Sequence, residues 1–553
     1  MAQTISGARL LVQCLEQHDV EYIFGIPGAK IDAVFDALLD SSIQVILCRH
    51  EQNATFMAAI YGRLTGKPGV VLVTSGPGIS NLATGLLTAT TEGDPVIAIG
   101  GNVPLAMKLK SSHQNTDNLK LMEAVTKARM EVLVPSTIPE IVENAFRIAS
   151  TPRSGAVFIS FPQDVSLQVV DNILVKTPPA FFQQIIASPA STQAIAQSIL
   201  SAKHPVLLLG LEASRPQNSA AIRNLLSQTA FPVVCTYQGA GVISHDLLPC
   251  FAGRVGLFKN QPGDKLLDAS DCIITIGFNS VEYDPEIWNT RCDKKILHID
   301  YNPAEIHASY TPTLELLGDI ASNLALLKQQ LPTRAIAPPF TPVHQYQKEL
   351  MDMIQTGAHF HGNTIHPLRF IYELQKITTD STYVISDIGS HYMWIARYFL
   401  CFQPHHLLMS NGQQTLGVAL PWAIATSKLY PKDRVISISG DGGFLFSATE
   451  LETAVREKVH FIHFVWCDGS YNMVQEQEML KYHRESAVRF GPVNIVTFAE
   501  SFGAVGFCVR HADQLEEIIQ KALKTPGPVL IEVPIDYSDN AALFQSSHEG
   551  LIH

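Results

Sequence analysis

Two aspartates in this chain sit where a metal-bound phosphate would need them. The run RVISISGDGG is an apolar strand candidate ending in Gly440, Asp441, Gly442 and Gly443, and VHFIHFVWCDGS is a second that ends at Asp468. Between them FLFSATELETAVREK places Leu445, Ala448, Leu451 and Val455 on one stripe and reads as a helix. A strand–helix–strand unit crosses over right-handed and leaves its strands parallel. Ligands bind at the carboxyl ends of such strands in open α/β sheets. Side by side there, Asp441 and Asp468 repel each other unless a cation neutralises them. Magnesium suits the pair, because it accepts one or two protein carboxylates and completes its octahedron with water and substrate phosphates. The glycines let backbone approach a phosphate closely, and the helix that follows offers its N–H groups. The backbone carbonyl of Ser470, in the DGSYNM turn, is the third expected metal ligand. The plain alternative for a lone aspartate before a helix is a cap. A second aspartate, in a second glycine turn at matching height, favours the metal–phosphate reading.

The elements that must position these residues fall into three blocks of alternating β-rich runs and helical patterns, the signature of parallel α/β sheets. The first block carries VEYIFGIPG, IQVILCRHE, GVVLVTSGPG, DPVIAIGG and GAVFISFPQD. The second carries PVLLLG, PVVCTY, CIITIGFNS and KILHIDYN, and the third YVISDIGS, RVISISGDGG, HFIHFVWCDGS and PVLIEVPID. Proline-containing stretches, VKTPPAFFQQIIASPAST and LPTRAIAPPFTP, read as the linkers between them. The expected domains are residues 1–172, 190–330 and 345–553. The first and third share the habit of strand, small-residue turn, helix, which points to similar sheets used twice.

Bulk properties agree. At 553 residues the chain is too long for one core, and 46% hydrophobic with 16% charged residues is a globular composition. A formal net charge of −12, without any Lys/Arg-rich block, argues against nucleic acid as partner. Nine scattered cysteines without a C-x-x-C pair fit reduced thiols in a cytoplasm. The start of the chain reads as an amphipathic helix rather than a signal peptide, and no run approaches the roughly 20 apolar residues that span a bilayer. The expectation is a cytoplasmic protein with no membrane association.

GDGG with its second ligand resembles the metal–diphosphate motif of thiamine diphosphate enzymes, with Asp468 where Asn is commoner. The resemblance extends through GIPGAKID, RHEQNA, TSGPG, EGDPV, HQNTD, SNGQQTLGVALPWA, SYNMV and VPIDYSDN. Together these are similar to the acetolactate synthases, in their catabolic branch. The resemblance implies a pyrimidine-binding domain, a central Rossmann-like domain and a diphosphate-binding domain. It implies thiamine diphosphate and Mg2+ as cofactors, with no FAD expected, since the second block lacks G-x-G-x-x-G and GFNSVEYDPEIWNT looks like the catabolic version. The implied reaction joins two pyruvate molecules into 2-acetolactate with loss of carbon dioxide. The implied assembly is a homodimer or homotetramer, with the cofactor held between the first domain of one subunit and the third of another.

Residue by residue, Glu51 in RHEQNA matches the glutamate that activates the cofactor's aminopyrimidine. Gln414 and Leu416 in GQQTLGV match the carbonyl that takes the 4′-amino group and the apolar wedge that bends the cofactor. Gly28 and Gly76 fall in its first-domain motifs, and Tyr471, Asn472 and Met473 follow the second metal ligand. Gln114 matches a glutamine reaching the site across the interface. Lys30 lies where a second pyruvate carboxylate enters, and a cation there makes electrostatic sense. Gln477 stands where relatives that admit 2-ketobutyrate carry tryptophan, which implies a preference for two pyruvates. Without the resemblance, Glu51 would be a helix-start carboxylate or an ion-pair partner of Arg49, and Leu416 core filler. The histidines at 359, 361 and 366, and His405 with His406, lack acidic or thiolate companions and are not expected to bind metal. Pyruvate oxidase, pyruvate decarboxylase and a non-catalytic subunit of the same fold remain as rival readings. Pyruvate decarboxylase is disfavoured because His113 and His483 do not form its paired histidines.

Overall fold

The protein is described by a computed structural model covering residues 4–175, 185–333 and 341–544. The middle portions of both expected linkers lie outside the described residues. Three six-stranded sheets, each parallel throughout, carry the chain. The first runs, edge to edge, Gln44–Leu47, Tyr22–Ile26, Gly69–Val73, Val96–Asn102, Ala156–Pro162 and Ala128–Glu131. The third runs Leu407–Met409, Thr382–Ser386, Arg434–Gly440, Phe461–Cys467, Pro528–Pro534 and Val505–Cys508. Numbered within each domain, both have the order 2-1-3-4-6-5, so the same sheet is used twice. The central sheet runs Phe251–Val255, Val233–Thr236, Pro205–Leu209, Cys272–Ile276, Lys295–Asp300 and Leu314–Leu317. Its order, 3-2-1-4-5-6, is that of dinucleotide-binding sheets.

Strand order locates the sites. Where the order reverses, neighbouring connections leave to opposite faces and open a crevice at the strands' carboxyl ends. In the third domain that point lies between Thr382–Ser386 and Arg434–Gly440, directly before Asp441. In the first it lies between Tyr22–Ile26 and Gly69–Val73, directly before Gly28 and Gly76.

The first and third domains share a core. Helix Glu51–Thr65 packs on helix Ala419–Leu429, and Phe56, Met57, Ile60, Trp422, Ile424 and Leu451 lie in one buried cluster. Residues 53–62 of the first of these helices are all buried, so the helix is covered on every face rather than along one stripe. The Arg63 guanidinium near its end stacks 4.7 Å above the Trp422 ring.

One local expectation is corrected. The segment after Gly443 is not a single helix. It is a turn of helix, Asp441–Leu445, then a 3-10 turn, Ala448–Glu450, then a second helix, Leu451–Arg456. Ala448 and Leu451 are buried, while Leu445 is 46% exposed. The break lets Ala448 and Leu451 enter the shared core while the first turn keeps its register over the crevice.

Candidate active site

At the third sheet's reversal point, Arg434–Gly440 and Phe461–Cys467 are paired in parallel with Gly440 opposite Trp466. Asp441 and Asp468 therefore leave the sheet at the same height. The Asp441 Oδ2 accepts hydrogen bonds from the backbone N–H of Asp468 (3.2 Å) and Gly469 (2.8 Å), which locks the two turns together. Asp468 in turn accepts from the Ser470 hydroxyl. Burial, reinforced by the neighbouring Asp468 charge, pushes the Asp441 carboxyl up to about 6, and burial also raises Asp468. Two half-buried carboxylates this close disfavour their own ionisation, a cost that a bound cation would relieve.

A cavity of about 320 Å³ opens beside them, lined among others by Gly440, Gly442, Gly443, Asp468, Ser470 and Asn472. Gln414, Leu416, Tyr471, Met473 and Gln477 line it too, so the residues singled out from the third block converge on one space. A side chain at Gly442 would meet the Tyr471 ring at 2.6 Å, which explains the glycine. His391, also in the lining, is 1% exposed, and its Nε2 has no partner among the described residues. Burial pushes its imidazole down to about 3, so the ring is neutral and its unpartnered nitrogen is left for a hydrogen-bonding group of whatever fills the cavity. Helix Asn472–Tyr482 is held at its start by Ser390, whose hydroxyl donates to the Asn472 Oδ1 (2.6 Å), and by Asn540, whose Nδ2 donates to the same oxygen (2.6 Å).

The segment bearing Gln414 and Leu416 has no regular structure, and two buried carboxylates hold it. Glu92 of the first domain accepts at Oε1 from the N–H of Asn411 (2.9 Å) and Gly412 (2.7 Å). Asp387 accepts from the N–H of Gly417 (2.9 Å to Oδ1) and Ala419 (3.4 Å to Oδ2). Gln414 sits between these anchors at φ +48°, a left-handed conformation that turns the arch toward the cavity.

On the first domain, Glu51 opens helix Glu51–Thr65 and its Oε2 accepts from Asn81 Nδ2 at 2.9 Å. No ion pair joins it to Arg49 among the described residues. Gly76, at φ +63°, lies against Gln114, whose Oε1 accepts from the Ser75 hydroxyl (3.1 Å). Gly28 lies against Thr74, whose side chain a Cβ there would meet at 2.6 Å. Lys30 is turned to Gln163 (Nζ to Oε1, 3.2 Å). Glu51, Gln114, Gly28, Gly76 and Lys30 are outside the lining of the 320 Å³ cavity.

Comparison with known proteins supplies the family. Residues 5–122 match the N-terminal TPP binding domain of thiamine pyrophosphate enzymes, 192–327 their central domain and 387–533 their C-terminal TPP binding domain. The chain is 50% identical over 544 residues to the acetolactate synthase of Bacillus subtilis (strain 168), covering 97% of this chain and 94% of that one. It belongs to the acetolactate synthases. A catabolic acetolactate synthase from Raoultella terrigena is 46% identical over 551 residues, covering 99% of this chain and 98% of that one. By contrast, the Escherichia coli (strain K12) acetolactate synthase isozyme 2 large subunit is 29% identical, at 97% and 96% coverage.

Thiamine diphosphate is the cofactor of this family, and the third-domain cavity fits it: two carboxylates beside it that a cation would neutralise, and glycines that allow close approach of a diphosphate. Among the described residues no cluster of three or more His, Cys, Asp or Glu is placed to hold a metal alone. Two of the histidines set aside for want of acidic companions do acquire them from elsewhere in the chain, His361 from Asp513 (2.7 Å) and His366 from Asp539 (3.1 Å). Sequence reasoning missed His391 and Ser390 beside the Gly389 turn, and the two anchoring carboxylates. Glu92 lies within EGDPV and Asp387 within YVISDIGS, both quoted as motifs, but only the folded chain shows what they hold.

Proposed function

We propose that this chain condenses two pyruvate molecules to 2-acetolactate with release of carbon dioxide, using thiamine diphosphate and Mg2+ and no FAD, in a cytoplasm. The observation that carries this is the convergence of eleven motif residues of the third domain on one cavity beside Asp441. Its identity pattern, higher to the catabolic relative than to the large subunit, supports the FAD-independent branch. Nine free cysteines fit a reducing compartment, and no helix among the described residues is long and apolar enough to cross a membrane.

The working unit in this reading is a homodimer or homotetramer, in which the Glu51 half-site of one copy faces the Asp441 half-site of another. Tyr471 and Val474 in the cavity's lining are exposed, as are Leu445 and Phe446 after the Asp441 turn and Met479, Leu480 and Tyr482 on helix Asn472–Tyr482, apolar surface that a second copy would cover. Asp441, Asp468 and the Ser470 carbonyl hold magnesium. Gly440, Gly442, Gly443 and Asn472 receive the diphosphate. Glu51 forms a hydrogen bond with the aminopyrimidine ring through its carboxyl, whose orientation Asn81 sets. The Gln414 carbonyl receives the amino group and Leu416 supports the bend. Bound thiamine diphosphate supplies a thiazolium ring that takes up the electrons freed by decarboxylation. Leu416, Met473 and Val474 keep the site dry, which favours loss of the carboxylate and limits protonation to acetaldehyde. Lys30 and Gln477 are assigned to the second pyruvate; Gln477 lines both this cavity and a groove of about 710 Å³ against Ser280–Ile287 of the central domain.

The test is a pyruvate assay on purified protein with thiamine diphosphate and Mg2+ but without FAD, scoring acetolactate (as acetoin after acid treatment) and acetaldehyde. Acetolactate is expected, with Glu51→Gln slower by about 10²–10⁴-fold. Acetaldehyde as main product, or a strict need for FAD, overturns the reading.

A further inference from the structure

The turn that delivers Glu51 is held by another domain. Arg49 and His50 lead from the edge strand Gln44–Leu47 into helix Glu51–Thr65. Their backbone N–H groups lie beyond the strand's ladder and before the helix's own bonds, so they need acceptors from elsewhere. Both donate to one oxygen of Glu450: Arg49 N at 2.9 Å and His50 N at 3.0 Å. Asn53, one turn into the helix and 1% exposed, donates its Nδ2 to the same oxygen at 3.2 Å. Glu450 itself is fully buried, and its other oxygen accepts from the Thr453 hydroxyl at 2.6 Å. The same third-domain helix also reaches the strand's last carbonyl, since an Arg456 guanidinium N–H donates to Leu47 O. Donors and acceptors on both sides of residue 48 are thus satisfied by residues 450–456.

We propose that Glu450 is a positioning residue for Glu51, fixing the height and direction of the helix start from which the Glu51 carboxyl projects. This rests on the reading of Glu51 as the group that hydrogen-bonds the aminopyrimidine ring. Other ties on that turn are weaker: the His50 Nδ1 accepts from Gln52 N, and Asn81 fixes only the tip of Glu51. Among the described residues, Glu450 is the buried ionisable side chain that accepts from the backbone of the turn itself. It sits where it does because the helix after Asp441 breaks, which turns Ala448–Glu450 toward the first domain. A continuous helix would not present it there.

The experiment compares Glu450→Ala, which removes every acceptor, with Glu450→Gln, whose amide oxygen can still receive Arg49 N and His50 N while its NH2 faces the Thr453 hydroxyl. Glu450→Ala is expected to lower kcat by about 100-fold, the scale of a misplaced catalytic group, with KM for pyruvate changed far less. Glu450→Gln is expected to recover most of that loss. In a Glu51→Gln background, Glu450→Ala should add no further loss, because the residue acts through Glu51. Independent of catalysis, hydrogen exchange in the cofactor-free protein should rise in the peptide containing residues 49–53 for Glu450→Ala and not for Glu450→Gln. A multiplicative loss in the double variant, or equal exchange in all three proteins, overturns the proposal. Wild-type protein without acetolactate activity would sink the proposed function, while the exchange result would still decide whether Glu450 fixes this turn.

Discussion

Asp300 offers a prediction with a sign and a size. It ends strand Lys295–Asp300 of the central sheet and is 2% exposed. Its Oδ1 accepts from the N–H of Asn302 at 3.1 Å, and its Oδ2 has no partner. Burial, and next the charge of Glu212, push its carboxyl from 3.8 up to about 7, with Arg153 only partly offsetting this. His298 and Arg153 share with it a cavity of about 300 Å³. Below about pH 4 the carboxyl is protonated in both the folded and the unfolded chain, and it costs the fold little. Between there and pH 7 the unfolded chain releases its proton while the native state retains it, so stability falls as pH rises. Above pH 7 the loss is complete, and the interval from 3.8 to about 7 corresponds to about 4 kcal/mol. Asparagine carries no charge at any of these pH values. Its NH2 lacks a partner at the Oδ2 position, as does the hydroxyl of the protonated acid, so the two should be close in stability at low pH. Asp300→Asn is therefore expected to be near-neutral around pH 4 and more stable than wild type by about 4 kcal/mol at pH 8. Urea unfolding of both proteins from pH 4 to 8, compared at matched slope, reads this directly. Parallel pH profiles would refute the argument that Asp300 is held protonated by its surroundings.

Glu92→Gln should destabilise the fold by about 3 kcal/mol, because it turns an NH2 toward the buried Arg63 and Gln238 donors and leaves Asp94 (2.8 Å) as the carboxylate paired with Arg63. Glu92→Ala, which also removes the acceptor for Asn411 and Gly412, should in addition weaken thiamine diphosphate binding; an unchanged Kd would show that Glu92 does not anchor that segment. Gly76→Ala forces a side chain into φ +63° within 3.1 Å of Gln114 Cβ, which should cost about 1–2 kcal/mol. Its expected signature is a fall in kcat/KM for pyruvate beyond what the stability change explains. Asn540→Ala removes the donor to Asn472 Oδ1 and strands the Trp394 Nε1–H, which donates to Asn540 Oδ1 at 2.7 Å. With about 1–3 kcal/mol lost, Mg2+-dependent cofactor binding should weaken while far-UV circular dichroism is retained; equal Kd values would clear Asn540 of any role at the site.

The sequence alone determined the parallel α/β class, thirteen of the buried strands and the pairing of Asp441 with Asp468. These are legible because central parallel strands, covered on both faces, read as unbroken apolar runs, and because glycine turns after them mark the carboxyl ends. In the three large sheets the strands it did not show are Ala128–Glu131, Phe251–Val255, Leu314–Leu317, Leu407–Met409 and Val505–Cys508, each at the edge of its sheet; it also did not show the short antiparallel pair Thr4–Ser6 and Val169–Asp171. An edge strand is short, has one neighbour and can be half-exposed, so its pattern blends with loop. Tertiary structure alone decided which carboxylates hold which backbone. Glu92 holds a segment more than three hundred positions away, and Glu450 holds a turn four hundred positions back. No local spacing encodes such a bond: the donors are backbone N–H groups that every residue has, and the choice of partner is made by how two domains pack.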